Sequence, residues 1–308
     1  MTDIAENGGS GREKGETPSL EKLVNDARIE VVRKAVILAI SNHKGGAGKT
    51  VTVLNLADAL SRRGLRVLCI DMDPQTNLST ALLVSGHPST LKYTIVNVLL
   101  DECKTSDAVI TNLTLPKVHL ISGSIKLTKL EENLRQDFTP ANRLKEKTDI
   151  LALDYDVILI DTPPNLGILT INALAAANQY ILPLDSGSKW GLDGSSDFQD
   201  MVKRIRKVNP KLRLSGVLLT RYDGRKTVCI EVEKVVNAEY ERVFETRLST
   251  STKVQQAEMA GQTVMQMSRQ SKPSREYAAL ADEVMKNAGI APLTADVDVK
   301  ADLSEDGQ

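Results

Sequence analysis

Six short apolar runs most constrain what this chain can fold into: AVILAIS (35–41), RVLCID (66–71), HLIS (119–122), DVILID (156–161), YILPL (180–184) and GVLLTR (216–221). A strand with one wet face alternates apolar and polar residues. These runs do not, so they suit a sheet buried on both faces. Helical patterns lie between them, such as TVTVLNLADALSRRG with Gly64 as its stop. This βαβ alternation predicts an α/β fold, a doubly wound and mostly parallel sheet flanked by helices, as a single domain over residues 35–290. Such sheets bind ligands just beyond the carboxyl ends of their strands, so the chemistry is sought in the residues that follow each run.

The flanks read differently. Residues 1–16 are polar and rich in Gly and Glu, and read as a disordered extension. Thr17-Pro18 reads as an N-cap with proline in the first turn, and Leu20, Leu23, Val24, Ala27 and Val31 follow at helical spacing, which predicts a helix over 17–34. Residues 291–308 hold five acids against one lysine and read as a solvated, disordered tail. The N-terminus lacks the apolar centre of a secretory signal, and no window supports a membrane span. Three cysteines (Cys69, Cys103, Cys229) without a CxxC pair fit neither a disulfide framework nor a zinc site, and suit a reducing cytoplasm. Aromatic residues make up 3% of the chain, which argues against a single-strand binder that stacks bases on exposed rings.

After the first run comes Ser41-Asn42-His43-Lys44-Gly45-Gly46-Ala47-Gly48-Lys49-Thr50, opening into a helix. Glycines let the backbone curl its N–H groups inward around a phosphate, the helix N-terminus adds partial positive charge, and Lys49-Thr50 supply a cation and a Mg²⁺ ligand. The usual P-loop spacing would put glycine at position 43, where this chain has His43, and a second lysine, Lys44, stands five residues before Lys49. One triphosphate needs one lysine from its own loop; a second at the loop's start points away, available to a nucleotide in an apposed subunit. The second run ends in Asp71-Met72-Asp73-Pro74-Gln75, whose two acids at alternate positions share a face and can serve Mg²⁺ or a water. The run at 156–161 ends in Asp161-Thr162-Pro163-Pro164, placing an acid where a carboxylate holds Mg²⁺ through water at a γ-phosphate. Taken singly, either acid could equally cap a turn.

Through HKGGAGKT, DMDPQTN, DTPPNLG and LLTRYDGRK the chain resembles the ParA/MinD group of deviant Walker A ATPases, and within it the ParA (Soj) partition ATPases, over roughly residues 35–290. The resemblance implies a weak intrinsic ATP hydrolase with ATP and Mg²⁺ as cofactors. Lys44, Gly45, Gly46, Ala47, Gly48, Lys49, Thr50 and Val51 are expected to hold the phosphates, with Thr50, Asp71, Asp73 and Asp161 around the metal. It implies that Lys44 reaches across a sandwich dimer and that Asp73 orients the attacking water. Val51 departs from the threonine common at its position; it is expected to face the strand side of its helix with little chemical consequence. The base is expected near Thr220 to Asp223 and near the loop from Gln266 to Pro273. Iron–sulfur relatives need cysteine spacing absent here, and membrane-binding relatives need a basic C-terminal helix where this chain is acidic. A helix-turn-helix domain would not fit before the first strand.

Charge divides along the chain. Residues 203–226 hold nine basic residues and one acid, and 200–275 hold sixteen basic and eight acidic, in a chain of net charge −1. Sequence-independent binding of duplex DNA through its phosphates asks for this and no more. Arg225 and Lys253 lead as DNA contacts, with Arg247, Arg269, Lys272 and Arg275 behind them. The expectation is an ATP-bound homodimer, cytoplasmic and nucleoid-associated, that binds non-specific double-stranded DNA. Stimulated by a ParB-like or cargo-adaptor protein and independent of membrane, it segregates a replicon or positions another cargo. The alternatives are an ATPase that positions protein cargo or signals through protein partners only, and a metabolic ATP-dependent enzyme.

Overall fold

The strand side chains divide by parity. Ile37 and Ala39, Leu68 and Ile70, and Ile158 and Ile160 belong to one buried apolar cluster. Their neighbours Leu38 and Ile40, Val67 and Cys69, and Val157 and Leu159 belong to a second. Successive residues of a strand point to opposite faces, so continuous apolar runs supply two cores at once. The computed structural model describes residues 34–134, 141–188 and 195–290. The extension expected over 1–16, all but the last residue of the helix expected over 17–34, and the tail over 291–308 lie outside the described residues.

Seven strands form one sheet: β1 (Val36–Ile40), β2 (Val67–Asp71), β3 (Val109–Ile110), β4 (Val118–Ile121), β5 (Val157–Asp161), β6 (Gln179–Asp185) and β7 (Arg213–Thr220). Their order is β3-β4-β2-β5-β1-β6-β7, parallel throughout except for β3, which runs antiparallel to β4. The six expected strands are all present. β3 went unread because two apolar residues carry no periodicity. β7 begins three residues before its apolar run, since Gln179 and Tyr180 of β6 continue the pairing onto Arg213 and Leu214.

The helices follow in chain order: α1 (Lys49–Ser61), α2 (Asn77–Leu82), α3 (Ile95–Leu99), α4 (Leu127–Leu134), α5 (Arg143–Leu151), α6 (Ile168–Ala176), α7 (Ser195–Val208), α8 (Thr227–Glu239), α9 (Thr252–Met259), α10 (Val264–Met267) and α11 (Lys272–Ala288). Residues of α1, α2 and α9 to α11 pack on one face, and those of α3 to α8 on the other. The chain leaves β1 toward the first face and leaves the adjacent β5 toward the second. Between two such strand ends the sheet opens a crevice, and doubly wound folds use it as their binding site.

One contact holds the far edge. Gly216 of β7 leaves room for the ring of Phe244: a Cβ there would stand 2.7 Å from the ring. Phe244 is 1% exposed, and its segment bonds β7 on both sides of Val217, Val217 N to Arg242 O and Phe244 N to Val217 O, both 2.9 Å. Truncating a buried phenylalanine loses transfer energy and leaves a cavity. Phe244→Ala should therefore lower the unfolding free energy by about 3–5 kcal/mol in a urea titration. A loss below about 1 kcal/mol, the scale of a surface change, would place the ring outside the core.

Candidate functional site

The loop after β1 is pinned at its start and left open at its centre. Ser41 N bonds Ile181 O at 3.0 Å, and the buried Asn42 reaches Pro183 O from Nδ2 at 2.6 Å. Asn42 Oδ1 accepts the Lys44 amide at 3.1 Å, and Lys49 Nζ turns back onto the Lys44 carbonyl at 2.9 Å. Gly46 and Gly48 take φ of +72° and +88°, a left-handed backbone that curls the loop and that glycine adopts without strain. Helix α1 is preceded by Gly48 at its N-cap, which supplies no side-chain cap, and carries no acid in its first turn. Its first N–H groups and positive end therefore face the loop, ready for an anion. The helix runs out at Gly64, with φ +87°, where the sequence placed its stop.

Across the crevice stand the acids. Asp71 and Asp161 are register partners on β2 and β5, and neither is exposed to solvent. Asp71 Oδ1 accepts the Asp73 amide at 3.0 Å, and Oδ2 accepts both the amide and the hydroxyl of Ser79, at 3.0 and 2.6 Å. The Ser79 hydroxyl accepts Gly123 N at 2.9 Å, and a Cβ at Gly123 would come within 2.9 Å of the Asp71 carboxyl carbon. Both Asp71 oxygens are thus engaged: Oδ1 holds the turn at Asp73, and Oδ2 ties β2 to α2 and, through Ser79, to the end of β4. Asp73 uses Oδ1 to accept Gln75 N at 2.9 Å. Asp161 is placed differently. Its Oδ2 accepts the Thr50 hydroxyl at 2.7 Å, while its Oδ1 is buried with no hydrogen-bond partner among the described residues.

Burial pushes the Asp71 carboxyl up to about 6, against the pull of the Ser79 and Asp73 bonds. Burial raises Asp161 well above the usual carboxylate range too, with Asp71 beside it adding to the rise and the Thr50 hydroxyl opposing it. Desolvation lowers the Lys49 ammonium, while Asp161 and Asp73 hold it up. A divalent cation against the unengaged Asp161 oxygen and the Thr50 hydroxyl would relieve this crowding. The donor set fits Mg²⁺, a hard ion that takes one or two protein oxygens and completes its shell with phosphate and water. Among the described residues no group of three His, Cys, Asp or Glu side chains is placed to hold a metal.

Beside the loop lies a cavity of about 520 Å³. Gly48, Val51 and Thr52 form its wall on α1, Thr220 and Arg221 come from the end of β7, Leu248 to Ser251 from the next loop, and Pro273, Glu276 and Tyr277 from α11. Thr220 Oγ1 lies 3.1 Å from the carbonyls of Ala47 and Leu184, joining cavity to loop. Three expectations change here. Val51, expected on the strand side of its helix, is half-buried and lines the cavity beside Gly48 and Thr52. Asp223 is outside the lining and is held down at about 2 by a fork from Arg225, at 2.9 and 3.0 Å. Gln266 is turned to Thr114 O at 3.2 Å, so of the expected base loop Pro273 reaches the cavity. Glu276 and Tyr277 were missed, and Arg221 fell within the expected stretch Thr220 to Asp223 without being singled out. Arg221 stood in the LLTRYDGRK run, but nothing local marks a side chain that meets a loop far away in sequence.

The basic candidates occupy unequal positions. Arg225 and Lys253 are exposed, as are Arg269, Lys272 and Arg275. Lys272 Nζ is 3.6 Å from Glu276, and Arg275 Nη1 bonds Gln270 O at 2.6 Å. Arg247 is half-buried, with Nη2 on Glu233 at 2.6 Å and Nη1 on the Phe244 carbonyl. It serves as an internal brace, since a cation already paired and desolvated gains little from leaving for a phosphate. No helix among the described residues is long and apolar enough to cross a membrane.

Two substitutions test the charges. Lys49→Ala should weaken ATP binding by about 10- to 100-fold in calorimetric titration, the scale of a lost charge-assisted bond. Asp161→Asn should make the melting temperature in ATP plus Mg²⁺ equal to that in ATP plus a chelator, whereas the native chain melts higher with the metal. A metal-dependent rise retained by Asp161→Asn would remove that carboxylate from the cation site.

The family model of an AAA domain matches residues 35–214. The chromosome partitioning protein ParA of Caulobacter vibrioides is 34% identical over 253 residues, covering 81% of this chain and 93% of that protein. The sporulation initiation inhibitor protein Soj of Bacillus subtilis is 33% identical, covering 82% and 98%. Among solved structures, cobyrinic acid a,c-diamide synthase from Mycobacterium smegmatis superposes with a TM-score of 0.69 at 31% identity, over 80% of this chain and 93% of that one, in complexes with magnesium and ADP or an ATP analogue. A phosphate loop opening α1, a hydroxyl–carboxylate pair whose donors fit Mg²⁺ and this relatedness converge: the chain belongs to the ParA/Soj family of P-loop ATPases.

Proposed function

We propose that this protein is a partition ATPase that dimerises around ATP, binds duplex DNA without regard to sequence, and moves a replicon or other cargo over the nucleoid. The observation that supports it most is the closure of the loop by Lys49, whose ammonium lies 2.9 Å from the Lys44 carbonyl. Lys49 is thereby the loop's own cation, and Lys44 contributes its carbonyl to the loop and its ammonium to a triphosphate in the opposite protomer. Asp73 orients the attacking water. Binding the two nucleotides joins the protomers and doubles the basic surface that carries Arg225, Lys253, Arg269, Lys272 and Arg275. DNA affinity then rises by avidity. Hydrolysis, stimulated by a ParB-like or cargo-adaptor partner, removes the bridge and releases the DNA. The protein works in the cytoplasm, on the nucleoid.

The magnesium–nucleotide complexes of the similar diamide synthase favour a second reading, a metabolic enzyme that spends ATP at the same loop. An ATPase acting through protein partners alone shares that reading's indifference to DNA.

Mobility shifts on random duplex DNA separate these readings. ATP should give shifts that ADP and no nucleotide do not, weakening steeply with salt. Equal shifts in every nucleotide state, or none, would overturn the partition reading. Arg225→Glu should leave ATP binding intact and reduce the slope of log affinity against log salt by about 2, one phosphate contact per protomer. Lys44→Ala should still bind nucleotide but stay monomeric in light scattering with Mg-ATP. Asp73→Ala should accumulate as the DNA-bound dimer.

A further inference from the structure

Arg221 stands at the joint between the phosphate loop and the cavity. It is the first residue after β7, and its guanidinium lies 3.5 Å from where a Cβ of Gly46 would be, while its side chain also lines the cavity beside Gly48 and Val51. Its Nη1 is 2.9 Å from Asp185 Oδ2, at the end of β6. Asp185 is fixed in turn, its Oδ1 accepting Gly187 N at 2.9 Å. The Arg221 backbone has φ +52°, a left-handed conformation that costs a non-glycine residue and persists where surrounding structure enforces it, often at functional sites. Here the Thr250 hydroxyl holds the Arg221 carbonyl at 3.1 Å, and the Tyr222 amide is bonded to Leu248 O at 2.9 Å.

We infer that Arg221 is a nucleotide-binding residue that Asp185 keeps parked beside the loop, and that its guanidinium passes to the nucleoside end of the phosphate chain when nucleotide enters. The carboxylate partner is cheap to leave. The pair is solvent-accessible, with 57% of the arginine side chain exposed, and pairs of that kind are held weakly against water and salt. A phosphate in a cradle of backbone amides offers the planar guanidinium a stronger, two-pronged acceptor. Position decides which phosphate. Lys49 and the loop amides serve the far end of the chain, whereas Arg221 sits where loop and cavity meet. ATP and ADP are alike at that point, so Arg221 contributes to both.

This inference rests on ATP binding at the same loop, and the two can fail separately. Calorimetric titration of the full-length protein with ATP and with ADP, each with Mg²⁺, reads both. Arg221→Met should weaken the two nucleotides by the same factor, about tenfold, with Arg221→Lys between it and the native chain. Asp185→Asn keeps the acceptor for Gly187 but removes the competing charge, so it should tighten both nucleotides. A structural latch would make Asp185→Asn weaken binding as Arg221→Met does, and that result overturns the inference. Unchanged affinities in Arg221→Met with an unchanged melting temperature also overturn it. If the native chain itself binds neither nucleotide, the ATP site falls, and Arg221 with it.

Discussion

Two carboxylates, side by side in register on β2 and β5 and closed off from water, set the terms for everything around them. Like charges this close in a low-dielectric interior repel strongly, and burial alone disfavours their ionised forms. The surrounding residues divide the load. Asp71 is given three donors, from the Ser79 amide and hydroxyl and the Asp73 amide, and becomes a fixed node. Asp161 is given one, the Thr50 hydroxyl, and keeps an oxygen unengaged. That asymmetry leaves one oxygen of a repulsive pair open to a cation, which would relieve the crowding. It also explains the glycine at 123, because any side chain there would push against the Asp71 carboxyl.

The anion half of the site is assembled from the opposite sign. The loop after β1 offers amides and a helix terminus, and Lys49 bridges the halves, held by the Lys44 carbonyl and facing the acids. Such a site is poor in either ion alone and suited to both together. The topology places it: β1 and β5 are neighbours whose chains depart to opposite faces, so the loop and Asp161 are brought to one crevice. The cavity lies on the α1 side, walled by β7, the 248–251 loop and α11.

The basic half of the chain is braced to that same wall. Tyr222 bonds Glu233 at 2.5 Å, and Arg247 bonds the same carboxylate, so the loop after β7, α8 and the segment after Phe244 are tied to one another. Glu276 accepts the Ser249 amide and hydroxyl at 2.9 and 3.0 Å, tying α11 to the cavity's loop. A nucleotide seated there would touch elements that also present Arg225, Lys253 and Lys272. Arg247 serves the brace rather than the surface, although its charge and position in the sequence are indistinguishable from theirs.

Much of the fold and the heart of the site were legible from local rules. Uniform apolar runs announce buried parallel strands, and glycines, Lys49 and Thr50 at fixed offsets announce a phosphate loop, because strand periodicity and turn chemistry act within a few residues. Those features, with Asp161 closing its strand, belong to the sequence by itself. The tertiary structure alone decided which acid is fully engaged and which keeps an oxygen open, since Ser79 and Gly123 arrive from other elements. It alone turned Val51 toward the cavity, withdrew Asp223 and Arg247 into ion pairs, and brought Arg221 beside Gly46. A side chain's role in such a site depends on its desolvation and its partners, and both are set by neighbours that the chain supplies from far away.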